Sequence, residues 1–315
     1  VSISAERRAL PDARRLEGLG LLLVTAFSWG LNWPVAKFLL SELPPFSMRG
    51  ACCGAAVVLA FALARARGER LAVPRRQWPR LLVFATLNYG AFVVLTTLAV
   101  ARLRASEAVI ITYTLPIWAA IIAWPVLGER PTPRAVLALV LGLSGVGLLV
   151  GVDASEVSLA KLPGVSMALT AAMLFGLGTV LSKQKPLALP PVTGVAWQLV
   201  LTLVPLLALA LTERPDWAGV TPLGWLGVAF SAALPMTLAY LTWFRALRLL
   251  PAATAGTGVL ISPVIGVVCS ALLLGDPLGP RQVAALALTL SGVGLAAWQP
   301  DIRGRRGPGS SRRAV

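Results

Sequence analysis

Asn32 and Asn88 are the only asparagines in a chain of 315 residues, and each stands beside an aromatic residue, Trp33 or Tyr89, inside a long apolar run. A primary amide donates and accepts hydrogen bonds at once, so a pair of amides suits both the carboxylate and the ammonium of a zwitterion. Few other groups with chemistry lie in the apolar runs. The main ones are Trp29, the three tyrosines Tyr89, Tyr113 and Tyr240, and Phe175, Trp197 and Thr257. Polar groups in hydrocarbon are costly unless they face protein or water. These residues are therefore read as the lining of a cavity; the competing reading of the two amides is glue between helices.

Other chemistries are excluded by what the chain lacks. It has no histidine, so HExxH zinc sites and Ser-His pairs are absent. No two aspartates share the apolar runs, and Cys52, Cys53 and Cys269 form no CxxC pair and read as small packing residues. The expectation is no enzyme, no metal and no cofactor. Acidic residues avoid the centres of the runs: Glu17, Glu107 and Asp276 sit at edges. Proton-coupled carriers usually need a buried group that changes charge, so the residues favour uncoupled movement of a neutral or zwitterionic solute. Glu107 is the candidate proton site of the alternative. Lys37 and Lys183, at run ends, are expected to snorkel to the surface.

The elements that position these residues are helices that cross a bilayer. Hydrophobic residues make up 57 % and charged residues 13 % of the chain, with mean hydropathy +0.79; a soluble domain carries about 25 % charged residues. Ten runs of membrane-crossing length can be placed near 16–39, 44–64, 79–100, 105–125, 134–152, 161–181, 192–211, 222–243, 253–274 and 281–298. The net charge of +15 follows topology rather than nucleic acid. With the N-terminus inside, 21 of the 28 Lys and Arg fall on the inner segments and 7, Arg49 among them, on the outer ones. This positive-inside bias puts both termini in the cytoplasm. The charged first residues do not read as a cleavable signal peptide.

The chain is a duplicated block. Ser144-Gly145-Val146-Gly147-Leu148 recurs as Ser291-Gly292-Val293-Gly294-Leu295, 147 residues on. At the same offset Leu127-Gly128-Glu129 matches Leu274-Gly275-Asp276, Pro133-Arg134 matches Pro280-Arg281, and Pro116 matches Pro263. With a one-residue gap, Ala26, Gly30, Leu31 and Lys37 match Ala172, Gly176, Leu177 and Lys183. Five spans is an odd number, so the second block enters from the opposite side. The expected fold is an all-α integral membrane protein of ten transmembrane helices in two inverted five-helix repeats. The boundaries are an inner tail at 1–15, a first repeat at 16–152, an external linker at 153–160, a second repeat at 161–298, and an inner tail at 299–315 that reads as disordered.

Prolines fall within several runs, at Pro34, Pro116, Pro125, Pro205, Pro235 and Pro263, and kink their helices. The matched pair Pro116 and Pro263 points to a central cavity or gate. At the recurring pentapeptide, Ser144, Gly147 and Gly151, and likewise Ser291 and Gly294, share a small-residue helix face that lets spans 5 and 10 pack closely as scaffold. Trp78, Trp217, Trp225 and Trp298, at span ends, read as interfacial anchors.

Residues 99–151, with a basic residue before an Ala-rich turn, a mid-helix proline, a Leu-Gly-acidic end and a Gly-rich last helix, recur in pattern from Ala246 onward. Both stretches resemble the EamA-type module of the drug/metabolite transporter superfamily, and AFSWGLNWPVAK, from Ala26 to Lys37, resembles that family's first span. The resemblance covers about residues 16 to 298. It implies a ten-helix exporter of small metabolites in the bacterial inner membrane, most similar to the YddG-type exporters of aromatic and other neutral amino acids. Glu107, Arg102 and Arg104 depart from the small residues usual in that turn. The alternative is export of another small metabolite or drug, proton-coupled through Glu107. The expected partners are small amino acids and the lipid bilayer, not nucleic acid; the oligomeric state stays open, with a monomer as one option.

Overall fold

The computed structural model describes residues 2–128, 133–150, 159–250 and 259–297, and every described element is helical. Helix α1 spans Ser2–Glu42 and α2 spans Pro45–Ala66. Helix α3, Trp78–Phe84, passes through a π-helical turn at Ala85–Gly90 into α4, Ala91–Arg102. Helices α5, Ala105–Thr112, and α6, Leu115–Leu127, are separated by a turn at Tyr113 and Thr114, and α7 is Pro133–Val150. The second half holds α8, Leu162–Gln184, and α9, Pro191–Ala210. Helix α10, Pro222–Ala233, continues through a second π-helical turn at Leu234–Leu238 into α11, Ala239–Leu249; α12 is Ile261–Leu274 and α13 Pro280–Ala297.

Among the described residues, seven stretches are long and apolar enough to cross a membrane: Arg14–Glu42, Pro45–Ala66, Arg75–Arg102, Ala105–Leu127, Leu162–Ser182, Pro191–Ala210 and Pro222–Trp243. Val136–Leu148 and Ile261–Leu274 are shorter apolar helices. Large apolar side chains stand open on the outside of the bundle, such as Val58 at 70 % and Leu272 at 78 % exposure. In water such a surface would be a liability; against lipid it is the ordinary one.

Local sequence explains the helix ends. Proline opens α2, α7, α9, α10 and α13, where its missing N–H costs nothing and its φ is already helical. Gly128 and Gly275, at φ 73° and 68°, end α6 and α12 in the left-handed conformation that glycine adopts freely. This accounts for the duplicated Leu-Gly-acidic motif. The glycine stops the helix and releases the acid, so that Asp276 Oδ2 accepts from Ser106 N at 3.0 Å and Ser106 Oγ at 2.8 Å, at the start of α5. Glu129 lies outside the described residues.

Two further carboxylates cap helices of the opposite half. Glu213, beyond α9, accepts from Phe46 N, Ser47 N and Ser47 Oγ at 3.0, 2.7 and 2.7 Å at the start of α2. Glu69, beyond α2, accepts from Val192 N, Thr193 N and Thr193 Oγ1 at 3.3, 2.8 and 3.0 Å at the start of α9. Each satisfies amides that a helix cannot bond internally.

Packing between the halves is reciprocal. Helix α1 lies on α11 and α12, α8 lies on α4 and α6, α2 pairs with α9, and α7 with α13. Matched glycines make these approaches close. A Cβ on Gly30 would stand 2.7 Å from Ser262 O, and one on Gly176 2.9 Å from Ala119 N; one on Gly18 would stand 2.7 Å from Leu250, and one on Gly164 2.7 Å from Leu103. The recurring pentapeptide works differently from the face expected of it. Gly147 and Gly294 have open space where a Cβ would go, whereas one on Gly145 would stand 2.8 Å from Ala285 O and one on Gly292 2.6 Å from Ala138 O. The α7–α13 approach runs through Gly145 and Gly292 because the helices cross on that side.

Candidate functional site

Aromatic residues from α1 and from both π-helical turns or their neighbours converge. Tyr89, in the first π-helical turn, stacks on Tyr240, in the first turn of α11, with centroids 4.5 Å apart and planes at 26°. Trp29 of α1 meets Tyr240 edge-on at 5.4 Å and Trp243 at 5.8 Å. Its Nε1 donates to Pro235 O at 3.2 Å. Pro235 has no N–H, so the helix around it cannot keep its regular ladder. The second π-helical turn absorbs this, and Thr237 Oγ1 donates to Ala232 O at 2.8 Å. Such turns concentrate at functional sites in helices. At the duplication offset of 147, Pro235 corresponds to Asn88 in the first π-helical turn.

Both asparagines have one oxygen unsatisfied. Asn32 follows Trp29 by three residues on α1, and its Oδ1 is buried without a hydrogen-bond partner. Asn88 Oδ1 is likewise buried and unpartnered, and it lies so close to α8 that a Cβ on Gly178 would stand 2.0 Å away. Tyr89 OH, Thr112 Oγ1 and Ser262 Oγ are also buried without partners. Buried polar atoms are nearly always paired; these five, on α1, the first π-helical turn, α5 and α12, are among eight unpartnered ones in the described residues, the others being on Gln77, Ser231 and Thr289. Thr112 and Ser262 flank the interrupted places in the chain. Pro116 is the second residue of α6, just after the turn at Tyr113 and Thr114, and the buried Pro263 is the third of α12, just after a turn at Val259 and Leu260.

The other aromatic residues expected in the lining make their ring contacts outside the Tyr89–Tyr240 stack. Tyr113 is buried near Trp33, at 6.5 Å. Phe175 of α8 meets Phe92 of α4 at 4.9 Å. Trp197 packs between Phe61 and Trp78 at 5.6 and 5.3 Å, and its Nε1 donates to Leu71 O at 2.8 Å, which sets it at the end of the bundle by the segment that joins α2 to α3. Thr257 lies outside the described residues. Glu107 is 3 % exposed. Its Oε1 pairs with Lys161 Nζ at 2.7 Å and its Oε2 accepts from Arg104 N at 3.2 Å, so one oxygen holds the residue before α8 and the other caps the start of α5.

Sequence reasoning missed two charges. Lys37 does not snorkel: its half-buried Nζ donates to Val100 O and Leu103 O at 2.7 and 2.9 Å, drawn in by the open carbonyls that end α4. Arg49, counted with the outer segments, is buried at 4 % exposure on α2, with its Nε donating to Thr97 Oγ1 at 2.6 Å. The signal was its position: it stands five residues inside a run that otherwise reads as a span. An open groove of about 440 Å³ has Lys37, Ser41, Glu42, Pro45 and Ala101 among its walls.

The apolar exterior and the polar, aromatic interior where broken helices meet define a multi-pass membrane transport protein. The chain belongs to the EamA-like transporter family, of the drug/metabolite transporter superfamily, whose profile matches residues 16–151 and again 162–298. Among curated proteins it is 28 % identical over 290 residues to Uncharacterized transporter YvbV of Bacillus subtilis, covering 91 % of this chain and 92 % of that one. It is 23 % identical over 274 residues to an uncharacterized transporter of Archaeoglobus fulgidus, covering 87 % and 96 %. A solved crystal structure, 21 % identical, shares the fold with a TM-score of 0.64 over 88 % of this chain and 96 % of that one.

Proposed function

We propose that this protein is an alternating-access carrier that exports aromatic and other neutral amino acids, with related small metabolites, by uncoupled facilitated transport across the bacterial inner membrane. In this reading ten helices cross as two inverted five-helix repeats and both termini face the cytoplasm. The observation that carries it is the layer around Tyr89 and Tyr240. Stacked rings with Trp29 edge-on offer an aromatic slot, and the chain neighbour of Tyr89, Asn88, and the residue one turn along α1 from Trp29, Asn32, carry buried unpartnered amide oxygens suited to a zwitterion.

The inverted ten-span topology is supported by the reciprocal contacts, in which matched positions of the two halves exchange partners. It is supported too by the long-range polar contacts. Glu213 with Ser47, Asp276 with Ser106 and Lys161 with Glu107 all join ends that this topology puts outside; Glu69 with Thr193 joins ends that it puts inside. Matched π-helical turns and matched breaks before Pro116 and Pro263 give both repeats a place to bend. The double engagement of Glu107 supports the uncoupled reading over proton coupling through that residue.

The test is uptake of a labelled amino-acid panel by purified protein in liposomes, with and without an imposed pH gradient, alongside Glu107→Gln. Saturable uptake of aromatic amino acids, indifferent to the gradient in both proteins, is expected. Uptake that follows the gradient and loses that dependence in Glu107→Gln would replace the uncoupled mechanism; no uptake of any amino acid would sink the substrate assignment.

A further inference from the structure

Among the described residues, Arg49 is the one arginine buried this deeply, at 4 % exposure. A guanidinium stays charged in proteins and carries five N–H donors. Here one donor is used, by Nε on the neutral Thr97 Oγ1 at 2.6 Å. Thr97 in turn donates to Val93 O at 2.7 Å, which fixes its oxygen as an acceptor for the arginine. The ion pairs among the described residues join Lys161 to Glu107 and Arg245 to Glu17, neither of them at Arg49. Glu213, which caps the first turn of α2, is taken up by the amides of Phe46 and Ser47 and the Ser47 hydroxyl. A buried charge without a counter-charge is strongly destabilising, so its retention requires another use.

The place of Arg49 supplies one. Pro45 and Ala101 line the open groove at the end of α2 and α4. Arg49 follows Pro45 by four residues, and Thr97 precedes Ala101 by four, so the pair lies one helical turn deeper on both walls. Thr97, Val93 and Tyr89 then descend at intervals of four residues to the stacked tyrosines. Arg49, Cys52 and Cys53 share the buried side of α2, and the two cysteines lie in the same packed core as Tyr89, with Val93 and Tyr240 against it. The charge thus stands between the groove and the aromatic layer. Lys37, on the groove wall, gives two of its three N–H donors to carbonyls, and Glu42 accepts from Thr221, whereas Arg49 has one of its five donors on a protein acceptor among the described residues.

We propose that Arg49 is an anion-binding residue on the solute path, and that the transported solute carries a carboxylate which the guanidinium receives between the aromatic layer and the groove. This rests on the transport reading above and narrows it to solutes with an anionic oxygen group. It also replaces the view, drawn from sequence, that the path holds no fixed charge.

The test separates the two claims. Binding of benzoate and of its neutral isostere benzamide to the purified full-length protein is measured by thermal shift and calorimetry at constant ionic strength. Wild type, Arg49→Lys, Arg49→Gln and Arg49→Met are compared. Benzoate is expected to bind wild type at least tenfold more tightly than benzamide, to keep part of that preference in Arg49→Lys, and to lose it in Arg49→Gln and Arg49→Met. A purely structural arginine would change stability but not this ratio. Equal benzoate and benzamide affinity in wild type, or an unchanged preference in a neutral variant, would overturn the assignment. If neutral variants fail to fold, phenylglyoxal labelling of wild type stands in: benzoate must protect Arg49 and benzamide must not, and equal protection overturns it. The liposome uptake panel is read independently, so an absence of amino-acid transport with intact benzoate binding condemns the substrate assignment and leaves the anion site standing.

Discussion

Tyr89 and Tyr240 lie 151 positions apart in the chain and stack face to face at 4.5 Å, one in a π-helical turn and the other just beyond the second such turn. Neither ring belongs to a helix that runs straight through. The stack therefore sits where both halves have already departed from regular helix, and where a shift of either half moves a ring across the other.

Replacing Tyr240 with alanine removes the stack and the edge contact to Trp29 together. Aromatic pairs contribute about 0.5–1.5 kcal/mol beyond area burial, so uptake efficiency for aromatic amino acids should fall by about threefold to tenfold or more. Tyr240→Phe keeps both ring contacts and should stay within about twofold of wild type. Initial rates of uptake in liposomes check both variants.

Gly178→Ala should collide with Asn88, whose Oδ1 would stand 2.0 Å from the new methyl and whose Cγ 2.8 Å. A loss of about 1–3 kcal/mol is expected for overpacking of this kind. Asn88→Ala in the same chain should recover part of the loss, because the clashing atoms are gone; Leu87 Cβ, at 3.0 Å, limits the recovery. A thermal-unfolding double-mutant cycle should show a coupling of about 0.5–3 kcal/mol.

The repeated pentapeptide offers a contrast within five residues. Gly145→Ala and Gly292→Ala meet backbone oxygens of the opposing helix at 2.8 and 2.6 Å, whereas Gly147→Ala and Gly294→Ala meet nothing within 4 Å. The first pair should lower thermal stability by about 1–3 kcal/mol. The second should be neutral or gain a few tenths of a kcal/mol from helix propensity, within the roughly 1 kcal/mol difference between glycine and alanine. Melting curves of the four purified variants decide it.

Glu69→Ala and Glu213→Ala each strip the cap from a helix of the other half. Either should cost about 1–3 kcal/mol, because backbone amides at a helix start lose a charged acceptor. The substrate preference of the folded fraction should stay that of wild type, since neither acid is near the aromatic layer. Thermal stability and the uptake ratio of phenylalanine to leucine, measured on the same preparations, test the two halves of this expectation.

The duplication was legible because matched glycines and prolines have one structural use each. Gly128 and Gly275 stop helices in the left-handed region, and Pro116 and Pro263 follow breaks, as their shared spacing implies. The aromatic members of the site were legible as a set, since Trp29, Tyr89 and Tyr240 are among the few large polar-edged groups in apolar runs. Their partition was not. Trp197 and Phe175 carry the same signal, yet one packs at a bundle end with Trp78 and the other on Phe92.

The amino-acid sequence by itself determined that this chain is helical and made for a membrane, and that it is built twice from one EamA-type block. Those properties follow from local composition and recurrence, which need no knowledge of neighbours. Tertiary structure alone decided which acid caps which helix, why Lys37 turns inward to carbonyls, and that Arg49 is buried on Thr97 rather than exposed at a surface. A side chain's cost or use in a membrane is set by the groups that surround it in space, and residues brought together from helices 48 to 170 positions apart, as Arg49 and Thr97 or Ser106 and Asp276 are, leave no spacing rule in the chain to read.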